Sequence, residues 1–168
     1  MRWDGPSPTA PEEGLIAMLR AGARGLFVEE AAVELVLRHG CWIGREDFTG
    51  RFVHEQADPE PAGDQPAAAA GWQGAVEGLE RGELPCSGSE LSVLKIAASL
   101  GGGCPVSLRL LLGGSGHVNI ALVAGAVLQA NGTAGGLVIV PAPPAYPPGV
   151  RVVAADGTVL QEGGAGGR

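Results

Sequence analysis

The chain has 168 residues, 45% of them apolar and 4% aromatic, and a net charge of −7. That length and apolar fraction allow one domain with a real core, filled by aliphatic side chains and Ala more than by rings. One Lys and ten Arg, scattered through an acidic chain, disfavour a duplex-binding surface, which has to neutralise phosphates.

Thr9-Ala-Pro-Glu12 has the spacing of a capping box and opens a first predicted helix over 11–24, with Leu15, Ile16, Leu19 and Ala23 on its buried face. A second helix is predicted over 28–39. Its polar residues Glu30, Glu34 and Arg38 recur every fourth position and form one stripe, so the remainder should be buried. Gly40 supplies the stop. A short helix near 45–53 follows, with Phe48 and Phe52 four residues apart on one face.

Residues 55–70 read as an acidic, Pro-rich loop, at the start of a stretch (55–83) in which seven carboxylates face Arg81 alone. A weaker helix is expected over 67–81, with Trp72, Val76 and Leu79 on one side. Ser87-Gly-Ser-Glu90 is a second capping box and opens a helix to Leu100 with a polar stripe of Ser92, Lys95 and Ser99; glycines 101 to 103 should end it. Ser107 is placed to cap a short helix through Leu112, and Ser115 to cap a last one over 116–130. That last segment is apolar nearly all round, which predicts the central buried helix.

Beyond Gly132 the period changes. Strand-like runs occupy 137–140, 150–154 and 158–160, the last two flanking an Asp156-Gly157 turn that predicts a hairpin. Between them PAPPAYPPG carries two PxxP spacings, read as a stiff polyproline spacer in preference to a groove-binding ligand. The expected architecture is therefore an all-α domain of five to seven helices over 9–132, followed by a Gly/Pro-rich tail over 133–168 with a small β-hairpin.

Several groups carry possible chemistry. Cys86 precedes a helix start, where a thiol pKa can fall and make a nucleophile. Ser87 and Ser89 beside it, and Ser115 and His117 in the Gly-rich turn GGSGH, stand where helix N-termini bind anions. No His or Asp lies near Cys86 in sequence, and the turn lacks the lysine and preceding strand of a phosphate loop, so capping explains these residues as well. His39, Cys41, His54, Cys86, Cys104 and His117 lack the paired spacing of a zinc site. Glu29, Glu30 and Glu34 lack the Glu-x-x-His partners of a di-metal bundle. No metal or cofactor is expected. Trp42, Arg45, Phe48, Arg51 and Phe52 combine aromatic and Arg residues on a short amphipathic element, the composition favoured at protein interfaces.

Three cysteines are too few for a disulfide framework, and their odd count suits a reducing compartment. The N-terminus shows no secretory signal pattern. The best apolar run, 120–128, is about half the ~20 residues a membrane helix needs. A cytoplasmic location without membrane contact is expected.

The segments AAVELVLRHGCWIGREDFTGRFV and ELPCSGSELSVLKIAASLGGGCPVSLRLLL, with NIALVAGAVLQANG after them, resemble a family of short helical proteins from GC-rich, actinobacterial-type genomes. The resemblance covers about residues 10–132. It implies a helical domain and assigns no activity and no catalytic residue. With no convergent catalytic set in view, the leading expectation is a non-enzymatic protein-interaction module or a small homo-oligomer. A small enzyme or ligand-binding protein using Cys86 and the capped helix starts is the first alternative, and a helix-turn-helix-like nucleic-acid module the second.

Overall fold

The computed structural model describes residues 10–56, 66–133, 137–141, 150–154 and 157–161. The fold is all-α in its main body. Helices α1 (Ala10–Ala23), α2 (Phe27–His39) and α3 (Glu46–Phe52) lead into a two-stranded antiparallel ribbon, β1 (Val53–Glu55) with β2 (Ala68–Ala70). Helices α4 (Trp72–Glu80), α5 (Gly88–Gly102), α6 (Leu108–Leu112) and α7 (His117–Ala130) follow. Strands β3 (Leu137–Pro141), β4 (Val150–Ala154) and β5 (Val159–Gln161) make a second antiparallel sheet in the order β3-β4-β5. The Thr9 cap, most of the acidic loop and residues 142–149 of the PxxP segment lie outside the described residues.

Helix α5, not α7, is the central element. Val93, Leu94, Ile96, Ala97 and Ala98 are all buried, and α5 packs against α2, α4, α6 and α7. Helix α7 buries only Ala121, Val123 and Ala126 among its residues and exposes Val118 and Val127. An apolar helix read as central is thus a flank, packed against α2 and β3 and still exposing Val118 and Val127. Helix α2 lies between α5 and α7 and buries Ala31, Ala32, Val33, Leu35 and Val36, as its narrow polar stripe requires. Glu34 of that stripe receives Arg20 Nε of α1 at 2.6 Å.

Two departures from the sequence reading have steric causes. Helix α5 runs through Gly101 and Gly102 and stops only at Gly103, whose φ of 65° is left-handed. The two glycines let the Trp72 indole lie against the helix: a Cβ on Gly102 would come within 2.7 Å of Trp72 Cβ, and one on Gly101 within 2.9 Å of Ala32 Cβ. The alanine run after Ala67 is a strand instead of the start of a helix. Ala68–Ala70 pairs with Val53–Glu55, and Ala68 is buried with its carbonyl against Gly22 of α1. Tertiary packing overrides the helix preference of alanine here.

Capping differs as well. Ser87 accepts from Glu90 N at 3.3 Å while Ser87 N donates to Glu90 Oε2 at 2.8 Å, so that capping box is formed. Ser115 caps nothing at α7; its hydroxyl donates back to the Leu111 carbonyl at 2.8 Å, and Gly116 holds the N-cap position. Ser107 holds the N-cap position of α6 without a side-chain hydrogen bond. Ser92, read as part of a solvated stripe, is buried and satisfies its hydroxyl on Gly88 O at 2.9 Å.

Candidate functional site

The aromatic and arginine element is a structural joint. Trp42, Phe48 and Phe52 are buried in the core, with Trp42 0% exposed. Their ring centroids are 5.5 Å apart for Trp42–Phe48 and 6.2 Å for Phe48–Phe52, a tilted stack that fastens α3 to the helical body. Trp42 Nε1 donates to Glu90 O at 3.3 Å. Arg45 lies 4.6 Å over the Trp42 ring, donates to Pro85 O at 2.9 Å and pairs with Asp47. Arg51 lies 5.2 Å over Phe52 and pairs with Glu83, which Arg81 also holds. The two guanidiniums keep the Glu83 carboxyl pulled down to about 2. The expected interface set therefore has its rings turned inward and its charges paired: in a chain so poor in aromatics, the core takes the rings.

The thiol candidates sit at the junction of the α2 end with the α5 start. Burial and then the nearby Glu90 carboxylate push the Cys86 thiol up, with Arg45 opposing them. Cys41 is pushed up to about 11, first by burial and then by Glu90, again against Arg45. Both shifts run opposite to the one an activated nucleophile needs. Burial also drives His39 down, against the pull of Glu90. Ser87 is occupied by the capping box, and the Ser89 hydroxyl is 3.2 Å from that of Ser87. His117 is exposed at the start of α7. Among the described residues, no group of three or more His, Cys, Asp or Glu side chains is placed to hold a metal ion, and no helix is long and apolar enough to cross a membrane.

The feature that sequence reasoning missed is an open apolar groove of ≈ 660 Å³. Helix α5 gives it Ile96, Ser99 and Leu100. Val106 and then Leu108 and Leu112 of α6 form one wall. Ile120, Val123, Ala124, Val127 and Leu128 of α7 form the other. Ten of these eleven residues are apolar, and none is charged. Of the lining, Leu108 and Val127 are each 52% exposed, and Arg109 and Leu110, next to Leu108 on α6, are exposed as well. The signal lies in the sequence of α7, free of Asp, Glu, Lys and Arg, which full burial explains equally well.

A second apolar surface, Leu26–Phe27–Val28, lies at the start of α2, with the Phe27 ring near Gly132. No protein-family model, curated protein or solved structure matches the chain.

Proposed function

We propose that the chain is a non-enzymatic protein-interaction module whose binding face is the groove between α5, α6 and α7. The observation that carries this reading is the groove itself: a concavity of ≈ 660 Å³ with an uncharged, almost wholly aliphatic lining and exposed leucine and valine at its rim. Exposed apolar surface of this kind marks a place where another apolar surface docks. Its shape, a trough between two helices, suits an amphipathic helical segment whose leucine-type side chains enter the trough. Catalysis finds little support in the groove, because among the described residues Ser99 is the single polar side chain in its lining.

The test compares affinity capture by the tagged wild-type chain with capture by Val127→Glu and Phe27→Glu, all three verified as folded by circular dichroism. The expected result is that a protein, further copies of this chain included, is held by wild type and Phe27→Glu and lost by Val127→Glu. Identical capture profiles for all three would refute the assignment of the face.

A further inference from the structure

We propose that Cys41 and Cys86 are a redox pair: an oxidant of the peroxide class joins them in a disulfide that ties the end of α2 to the start of α5. Cys41 follows Gly40, which stops α2, and Cys86 precedes Ser87, which caps α5. Two hydrogen bonds cross from one segment to the other. Arg45 Nη1 donates to Pro85 O at 2.9 Å, and Trp42 Nε1 donates to Glu90 O at 3.3 Å. Their acceptors lie on either side of Cys86 in sequence, and neither bond involves a sulfur. The Glu90 carboxylate holds Ser87 N at 2.8 Å, directly after Cys86. Arg45 and Glu90 also act on both thiols. The backbone that carries Cys86 is thus held against the segment that carries Cys41.

Both thiols are free and half-buried, within reach of an oxidant as small as hydrogen peroxide. Cys104 is the natural control. It is buried and donates to Gln73 Oε1 at 3.3 Å. It follows the far end of α5, whose fifteen residues rise about 22 Å. Peroxide oxidises one thiol of the pair to a sulfenic acid, with its O–O bond broken and one water released. The second thiol attacks that sulfur as its thiolate. The S–S bond forms, the S–O bond breaks, and the hydroxide leaves with the thiol's proton as a second water. Two electrons pass from the two sulfurs to the peroxide. Burial and then Glu90 raise both thiols against Arg45, so the reaction is slow at neutral pH and quickens as the pH rises. The bond closes a loop that holds α3, the β1–β2 ribbon and α4. It lies toward the other end of α5 from Ile96, Ser99 and Leu100, so its test is independent of the docking face.

The folded, reduced full chain is treated with excess hydrogen peroxide at about pH 8.5, where thiolate is populated. It is then alkylated and mapped by mass spectrometry without reduction. The expected product is a Cys41–Cys86 linked peptide, two hydrogen masses lighter than its two parts, with Cys104 alkylated. Cys104→Ser should give the same link. The thermal midpoint of the linked chain should rise by about 10 °C, and a reductant should reverse the rise. Thiols that stay free, or that each end as sulfinic acid without a link, overturn the proposal. So does a link through Cys104, or one that forms only after the chain is unfolded in urea. A linked chain that melts below the reduced one carries a bond that strains the native arrangement, and that result overturns it too.

Discussion

At the scale of single residues, close approach explains more of this molecule than charge does. Trp72 lies against two helical glycines and also donates its indole N–H to Glu29 Oε2 at 3.1 Å. Gly102→Ala should therefore destabilise the chain by about 1–3 kcal/mol, the range for forced overpacking. Gly125 stands within α7 with nothing within 4 Å of the place its Cβ would take. Gly125→Ala should stabilise by about 0.5–1 kcal/mol, through helix propensity alone. Urea unfolding of the two variants checks both signs. The thiols give a second prediction at this scale. Cys41 is pushed up to about 11 and Cys86 is raised, each first by burial. Native-state labelling of both at pH 7.5 should be slower than labelling of a free thiol. Cys41 should accelerate only as the pH climbs toward 11. Fast labelling of native Cys86 at neutral pH would bring back the nucleophile reading.

Among the elements, two predicted helix boundaries hold as read. Gly40 ends α2 with φ 79°, and Ser87 with Glu90 opens α5 through both hydrogen bonds of its box. Ser87→Ala should cost about 1 kcal/mol, since it leaves an N-terminal amide without its acceptor. Chemical denaturation reads this directly, and a variant as stable as wild type would show the cap to be dispensable. Legibility failed where a neighbour far along the chain decides the outcome. Ala68–Ala70 is a strand because Val53–Glu55 lies alongside it and Gly22 admits its backbone. Gly101 and Gly102 stay helical because Trp72 covers them. Phe48 and Phe52 were correctly placed on one helix face; which way that face turned depended on Trp42 and the α5 start. Helix α7 misled for the same reason. A sequence without charge reads alike for a buried helix and for one that lines an open groove.

For the whole molecule, α2 and α5 form the centre, α1, α3 and α4 cover one part of it, and α6 with α7 forms an apolar trough that is open among the described residues. Along the chain, the acidic residues cluster between Glu55 and Glu83, outside the segments that line the trough. The dimension that sequence patterning does not carry is concavity. Alternation and periodicity identify apolar faces, but a groove arises only from the distance between two walls, here α6 and α7 over α5. The methyl NMR spectrum of the chain, recorded while a protein that the wild-type chain captures is added, further copies of the chain included, tests the central claim most directly. The account predicts shifts confined to the methyls of Leu108, Leu110, Leu112, Ile120 and Val127. Shifts centred on Leu26 and Val28, or a spectrum that no captured protein changes, would contradict it.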